Sequence, residues 1–362
     1  MPPATVQTLL RRAPTVAPVA NRALLSVSGS DSNVFLNGVL STQARVPQFT
    51  SFLHAQGRIL YDAFIYNDPE PSNSNGPAYI VEYSPPPEGS TDIPPLLSYL
   101  KRHVLRSKVK VRDASDRYDI WASWGGDADK SWETPRAWSW ARSGCVEPAW
   151  GEELHPWGTE AGVIRDRRGV GLGRRFLVQK GDKPKEASTH DLVQPEDYLL
   201  HRVLQGIPEG NVDIPPMQAL PMDSNLDIMG GVDFRKGCYV GQELTVRTYH
   251  TGVIRKRIHP VYIHKSDPSL GPFILPSPFT PGLDVKPISE GERKGPRPRG
   301  TGKLLSTTTQ GVGLALLRLE HALAARAGEL RLEVTEPSTG EVYRVTPWAP
   351  SWWPAPEEAP AE

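Results

Sequence analysis

The chain has 362 residues, enough to bury a sizeable core and to divide into two or three domains. Lysine plus arginine equal aspartate plus glutamate at 41 each, and no apolar stretch reaches about 18 residues, which argues against a nucleic-acid partner and a membrane span. Only two cysteines, Cys145 and Cys238, are present, which excludes a disulfide framework and fits a reducing compartment.

The N-terminal segment carries arginine but no acidic side chain before Asp31. A basic, acid-poor composition with a short apolar face is typical of a mitochondrial transit segment, and residues 1–22 are predicted to be one. An ordinary disordered tail is the alternative. We favour the targeting interpretation, because a plain tail has no reason to exclude every acid.

Strand and helix signals alternate through residues 23–120, which we predict to form an N-terminal α+β lobe. Residues 23–27 are apolar and β-prone, and residues 57–66 form a strong strand signal. Between them, Ser30 or Asp31 can cap a helix. The opening part of the chain therefore has α+β character.

Residues 121–157 contain seven of the ten tryptophans without any periodicity. This pattern favours a loop insertion pinned by large side chains over a surface for a flat ligand. The glycine-rich run 169–173 lies among arginines, but residues 174–178 after it predict a strand, whereas a dinucleotide-binding loop needs a helix there. We assign residues 121–190 to a tryptophan-rich insertion and strands.

Residues 191–250 are predicted to complete the α+β lobes. Residues 191–205 form an amphipathic helix pattern with a proline near the start and a glycine after the end. Residues 244–250 and 253–263 are predicted to be consecutive strands that turn at a Thr-Gly pair.

The C-terminal part, residues 251–362, is predicted to close into a small β-barrel. A proline- and glycine-rich stretch, residues 266–302, interrupts it and is predicted to be a mobile surface loop. That loop carries a basic cluster, Arg293, Lys294, Arg297 and Arg299.

Three histidines, His250, His259 and His264, lie close together in the sequence. Their spacing matches no helical metal pair or zinc-finger pattern, so we predict structural roles for them. No nucleophile elbow, zincin motif or Walker loop occurs, and the corresponding hydrolase classes lack support.

The most unusual chemistry lies in residues 234–243. Gly237 and Gly241 allow positive φ angles or a close backbone approach, so Cys238 is predicted to lie on a tight turn. Lys236 places a positive charge nearby, which favours the thiolate if the side chains converge. The thiolate is the form that binds metals or attacks electrophiles.

Other roles for this motif stay open at this stage. Free cysteine often serves as a small buried hydrophobe. Glu243, which follows Gln242, is close enough in sequence to act as an acid or base partner of Cys238, and Cys238 is then a covalent nucleophile. Alternatively, both side chains brace the turn through hydrogen bonds.

Two ligands make different demands on this chain. Iron-sulfur clusters are typically held by four thiolates, so Cys238 needs further ligands from a partner to hold one. A folate needs a stacking surface, polar groups and cations. Side chains of the right types are Tyr61, Asp62, Arg202 and Arg247.

Residues 236–243 (KGCYVGQE) strongly resemble the YgfZ family of folate-binding proteins, and within it the branch of mitochondrial iron-sulfur cluster assembly factors of the Iba type. Further segments of the chain look like signatures of the same family, namely residues 55–62, 201–210, 220–226 and 247–257.

The resemblance implies an α+β fold like that of the glycine-cleavage aminomethyltransferase, with lobes around a central folate-sized opening and a C-terminal β-barrel. It implies a matrix protein, a monomer on its own, that works with A-type scaffold proteins to mature [4Fe-4S] clusters. Cys238 matches the family's functional cysteine and is the expected ligand of a transient shared cluster. The motif residues that shape this interface are Lys236, Gly237, Tyr239, Gly241, Gln242 and Glu243.

One departure from the aminomethyltransferase branch bears on catalysis. Those relatives have a pterin-binding glutamate in an Arg-x-Glu-x-Gly run, whereas Leu204 stands at that position here. Tetrahydrofolate binding is therefore expected to be separable from one-carbon transfer. We prefer a non-catalytic assembly factor without catalytic residues, and a tetrahydrofolate-dependent one-carbon (aminomethyl-type) transferase is the alternative.

Overall fold

The computed structural model describes residues 2–71, 76–87, 89–126, 137–150, 154–265, 274–289 and 300–355. Its helices are α1 Ala4–Gln7, α2 Ser32–Val39, α3 Leu96–Val104, α4 Pro195–Leu204, α5 Gly210–Asp213, α6 Gln242–Thr251 and α7 Leu319–Arg326. A short 3-10 helix covers Lys185–Ser188.

The strands form two five-stranded sheets, a hairpin and a barrel. In chain order they are β1 Thr15–Pro18, β2 Ala23–Ser28, β3 Gln48–Leu53, β4 Ile59–Asn67, β5 Ala78–Tyr83, β6 Lys110–Asp113, β7 Tyr118–Trp124, β8 Ala137–Trp140, β9 Val146–Ala149, β10 Val163–Arg165, β11 Arg174–Gln179, β12 Asp191–Leu192, β13 Lys256–His264, β14 Asp284–Ser289, β15 Gly302–Thr307, β16 Val312–Arg318, β17 Leu330–Thr335 and β18 Val342–Pro347.

The first sheet has the antiparallel order β3-β4-β5-β2-β6 and is buried on both faces. Alternate residues of a strand point to opposite faces. Leu25 and Ile65 accordingly pack in one cluster with α2 and α3, whereas Leu24 and Phe64 pack in another with the second sheet. Because both faces are covered, every residue of β4 but the last is buried.

The second sheet has the order β10-β11-β7-β1-β12, with β1 and β12 parallel and the other pairs antiparallel. Helix α4 packs against β1 of this sheet and against β16 of the barrel. The barrel closes in the order β13-β16-β15-β14-β17-β18, as the sequence predicts. Within the described residues, no helix is both long and apolar enough to cross a membrane.

The predicted strand at residues 244–250 is wrong, because these residues belong to helix α6. The β-branched residues of this stretch favour a strand locally. The burial pattern is nevertheless helical: positions 244, 245, 248 and 249 are at least partly buried, and positions 243, 246, 247 and 250 are exposed. Packing of this face overrides the local propensity.

Two predicted element boundaries also change. The helix predicted over residues 191–205 begins at Pro195, after a capping box of Gln194 and Asp197, and the strand predicted from residue 253 begins at Lys256.

Within the predicted loop 266–302, β14 is a barrel strand whose Val285 is fully buried. Its proline weakens the strand signal in the sequence. The predicted basic cluster in that loop lies outside the described residues.

The predicted transit segment 1–22 overlaps the second sheet. Strand β1 lies between β7 and β12, and Val16 and Ala17 are fully buried. The side chain of Arg22 is also buried and forms ion pairs with Asp62 and Glu82. A cleavage site as late as residue 22 is therefore inconsistent with this sheet, and a targeting role for the preceding residues stays a prediction.

Candidate functional site

Cys238 lies on an exposed loop that leads into helix α6. Several contacts hold this loop in place: the Val240 N–H donates to the Gly38 carbonyl at 3.1 Å, and the Tyr239 N–H donates to Oε1 of Gln242 at 3.2 Å. Gln242 thus braces the turn at the start of helix α6, which is one of the alternatives predicted for it. The thiol is presented on a fixed turn at the surface.

Lys236 anchors the loop to the C-terminal end of α2. Its Nζ donates to the carbonyl oxygens of Asn37, Leu40 and Thr42 at 2.8, 2.7 and 3.0 Å. These bonds use all three ammonium hydrogens and satisfy carbonyls that a helix end leaves without partners. Burial lowers the pKa of Lys236 to about 8. No N–H of Lys236 therefore remains to donate to the sulfur of Cys238, and the predicted effect of this charge on the thiol stays a prediction.

The two glycines of the motif have different roles. Gly241 has a φ of +81°, and a Cβ there would lie 2.3 Å from the His54 carbonyl oxygen, which confirms the predicted need for glycine. Gly237 has no positive φ, and a Cβ there would meet nothing within 4 Å. The prediction that Gly237 enables the turn is wrong.

This difference predicts the outcome of a matched pair of substitutions. Gly241→Ala should lower the free energy of unfolding by at least about 2 kcal/mol, because a left-handed alanine is strained and its Cβ clashes with backbone. Gly237→Ala should change it by less than about 0.5 kcal/mol, as usual for an exposed site. Urea denaturation of the two variants measures both values. Equal stability losses would contradict this account of the turn.

The exposed side chains of this loop and of the first two turns of α6 form what we call the cysteine face: Arg235, Cys238, Glu243, Val246 and Arg247. Phe234 stacks on Tyr249 of α6 with ring centroids 4.3 Å apart, which fixes the loop against the helix. Glu243 lies in the first turn of α6, where its negative charge interacts favourably with the helix dipole. The face carries charges of both signs around a single sulfur.

The second thiol is in a different environment. Cys145 is fully buried and packs with Met222 and Ile254. Burial raises the pKa of Cys145 to about 11, so it is a neutral thiol at physiological pH. Cys238 is therefore the thiol that a partner or a cluster can reach.

A buried ion-pair network lies between the two sheets. Arg175 is bound by Glu82 and Glu209, and Arg22 donates from Nε to Glu82 at 2.7 Å. Arg168 contacts Asp166 at 2.6 Å and Glu209 at 2.7 Å. The tyrosine hydroxyls of this region join it, with Tyr66 donating to Glu82 at 2.6 Å and Tyr198 accepting from Arg175 at 2.6 Å.

The four predicted folate-binding side chains do not converge. Tyr61 and Asp62 are adjacent in β4 and point to opposite faces; Tyr61 donates to the Pro94 carbonyl at 2.8 Å, and Asp62 pairs with Arg22 at 3.0 Å. Arg202 pairs with Asp213 at 2.5 Å, and Arg247 is exposed on α6. Asp62 and Arg202 approach the buried network, whereas Tyr61 and Arg247 do not.

A cleft of about 240 Å³ opens beside the network. Arg22, Arg202 and Glu209 line it, and Nη2 of Arg22 is buried without a hydrogen-bond partner. That donor suits an anionic group. Glu209 and Asp62, however, are both paired with arginine, and Leu204 packs with Ile258 and Trp348 instead of facing the cleft. The residues therefore do not fit a pterin held by a free buried carboxylate.

Comparisons with known proteins place the chain in a family. A family model described as "CAF17, C-terminal beta-barrel domain" matches residues 255–355. An "Iron-sulfur cluster assembly factor IBA57 homolog, mitochondrial" from Cryptococcus neoformans is 39% identical over 338 residues, which cover 86% of this chain and 85% of that protein. This chain belongs to the IBA57 family. The IBA57 homolog of Mycosarcoma maydis is 32% identical over 96% of this chain and 87% of its own length.

The fold of this IBA57-family chain also resembles a solved enzyme. Aminomethyltransferase T of the glycine cleavage system from Bartonella henselae superposes with a TM-score of 0.58 at 13% identity, covering 96% of this chain and 88% of that one. The similarity confirms the predicted aminomethyltransferase-like α+β fold with its C-terminal barrel. At this identity it establishes the fold alone.

Sequence reasoning missed the buried network in this IBA57-family protein. The signal of the network in the sequence is one acidic residue in each of two otherwise apolar strands, Asp62 in β4 and Glu82 in β5. A charge in a strand covered on both faces needs a buried partner. Two arginines of the network, Arg168 and Arg175, flank the glycine-rich run 169–173. The sequence around this run does not support a dinucleotide-binding loop.

Proposed function

We propose that this IBA57-family protein is an iron-sulfur cluster assembly factor of the mitochondrial matrix, with Cys238 as a ligand of a cluster that it shares with an A-type scaffold protein. The observation that carries the proposal is the position of Cys238, an exposed thiol on a braced loop in a chain whose other thiol is buried. The names of its relatives support a role in cluster assembly in mitochondria.

The need for a partner follows from ligand number. A [4Fe-4S] or [2Fe-2S] cluster is typically held by four thiolates. Among the described residues, no three histidine, cysteine or acidic side chains are grouped to hold a metal. The cluster is therefore cargo at an interface: Cys238 supplies one thiolate, losing its proton on binding iron, and the scaffold protein supplies the other ligands.

The test is complex formation that depends on the cluster. The protein and an A-type scaffold, mixed anaerobically, should co-elute in size-exclusion chromatography when the scaffold carries a cluster and elute separately when it is apo. Chelation of the iron should dissociate the complex. A complex of equal stability without any cluster would overturn the shared-ligand proposal.

A folate-dependent one-carbon transferase is the second candidate, since the fold is that of an aminomethyltransferase. The pairing of Glu209, in the cleft, with Arg168 and Arg175 argues against turnover. We expect no conversion of tetrahydrofolate to its methylene form when the lone protein is given an aminomethyl donor. Turnover would support the transferase, and tight binding of tetrahydrofolate without turnover would indicate a site that has lost its chemistry.

A further inference from the structure

A cluster of positive charge lies where helix α3 ends and the chain turns toward β6. Residues 101–112 contain six lysines or arginines and one histidine but no acidic residue. Lys110 and Arg112 have a sufficient role in β6, because charges on an edge strand oppose pairing with other chains. The other exposed side chains of this segment form what we call the basic turn: Lys101, Arg102, Leu105, Arg106 and Lys108.

The fold makes little use of the four cations in the basic turn. None of them forms an ion pair within the described part of the chain. The dipole of α3 favours Lys101 and Arg102, which lie in its last turn, but it does not reach beyond that turn. The Lys108 backbone N–H donates to Asp31 at 2.7 Å and lowers the pKa of that carboxyl, so this acid is ionised. Four cations and this one acid leave a local net charge of +3.

An apolar side chain projects from the middle of these charges. Leu105 is 88% exposed, and its turn is closed by a 2.8 Å hydrogen bond from the Ser107 N–H to the Val104 carbonyl. Its φ of +47° and ψ of −109° are close to the first central position of a type II′ turn, where glycine is preferred. Neither backbone preference nor packing within the described residues explains a leucine here. A contact outside the chain would explain it.

We propose that the basic turn binds the surface of an anionic membrane, with Leu105 in the apolar layer and the four cations at the lipid phosphates. A bilayer supplies these two environments at adjacent depths and accepts a convex tip without a preformed pocket. Nucleic acid has no such apolar layer, and an acidic protein would need a pocket for the leucine. The attachment is peripheral and reversible, since it rests on one apolar side chain and a few charges.

Cardiolipin is the anionic lipid best suited as a probe. Basic surfaces on the matrix side of a membrane bind its head group, and the relatives of this chain are named as mitochondrial proteins. None of the residues of the basic turn belongs to the cysteine face. Membrane attachment is therefore separable from the proposed cluster site.

Sedimentation of the full chain with vesicles tests the proposal. We expect binding to vesicles of phosphatidylcholine mixed with cardiolipin to be at least about tenfold tighter than binding to phosphatidylcholine alone. Raising the ionic strength from about 0.1 M to about 1 M shortens the screening length from about 10 Å to about 3 Å and should release most of the protein. Equal binding to both kinds of vesicle, or to neither, would overturn the proposal. The assay uses no cluster and no scaffold, so such a failure would leave the proposed function standing.

The apolar tip has its own matched pair of variants. Leu105→Gly suits the turn, so it should not lower the urea midpoint of unfolding, yet it should weaken binding to the cardiolipin vesicles about tenfold. Leu154→Gly, at another leucine that is 78% exposed, should bind as the wild type does. Unchanged binding by Leu105→Gly would contradict insertion of this side chain.

The charges have a second matched pair. Arg102→Gln combined with Arg106→Gln should weaken vesicle binding at least about tenfold. Lys183→Gln combined with Lys185→Gln removes two exposed lysines elsewhere and should have little effect. Equal losses in the two double variants would show that net charge, and not the basic turn, drives binding. If the arginine variant instead binds an A-type scaffold more weakly while the wild type ignores vesicles, the occupant is an acidic protein and the membrane proposal is wrong.

Discussion

Cys238→Ala is expected to lower the maturation of an apo [4Fe-4S] acceptor protein at least tenfold in an anaerobic assay with an A-type scaffold. Under the proposed function the shared cluster loses the ligand that this chain supplies, while the exposed site leaves the fold intact. The free energy of unfolding should change by less than about 0.5 kcal/mol. Circular dichroism and urea denaturation check the second part.

The control is the other thiol. Cys145→Ala removes a buried sulfur that packs with Met222 and Ile254, so it should lower stability and leave maturation unchanged at a temperature where the variant is folded. Full maturation activity of Cys238→Ala would show that the thiol is dispensable. Loss of activity in both variants would point to a general effect of instability.

Arg175→Met is expected to lower the free energy of unfolding by about 3–5 kcal/mol, because it leaves Glu82 and Glu209 buried without their principal partner. Equilibrium denaturation in urea measures the loss. The matched control is Lys180→Met, which breaks an exposed pair with Asp119 and should cost no more than about 1 kcal/mol. A small effect of Arg175→Met would mean that the network does not stabilise the contact between the sheets.

The same network predicts how stability depends on pH. Burial alone raises the pKa of Glu209, but Arg175 and Arg168 outweigh it and hold that pKa well below the usual value; the pKa of Glu82 is lowered in the same way by Arg175 and Arg22. Carboxylates with a lowered folded-state pKa bind fewer protons in the folded state than in the unfolded one. Their contribution is therefore complete above about pH 4.5 and is lost as pH falls below it. In Arg175→Met this acid sensitivity should diminish.

The sequence predicts the parts of this site that depend on local chemistry. Gly241 was recognisable because a turn next to a close backbone approach needs glycine, and the exposed position of Cys238 followed from its polar, glycine-flanked surroundings. The contacts of Lys236 were not predictable, since its acceptors, such as Asn37 and Thr42, lie about 200 residues away in the sequence. Long-range contacts of this kind decide what a charged side chain does.

The elements of the fold also differ in how well local sequence patterns predict them. Strands with strong patterns, such as β4 and β11, lie where the sequence predicts them, and the barrel is the predicted closure of the C-terminal strands. Helix α6 and strand β14 were missed because local preference opposed the tertiary packing, through β-branched residues in α6 and a proline in β14. Buried charges were missed because pairing across sheets leaves only an isolated acid in each strand.

The most direct measurement is anaerobic reconstitution with an A-type scaffold, followed by iron analysis and visible absorption of the co-purified complex. We predict that the wild-type protein co-purifies with iron and with the absorption of a thiolate-bound cluster, and that Cys238→Ala does not. The same iron content and spectrum in the Cys238→Ala complex would contradict the claim that Cys238 binds the shared cluster.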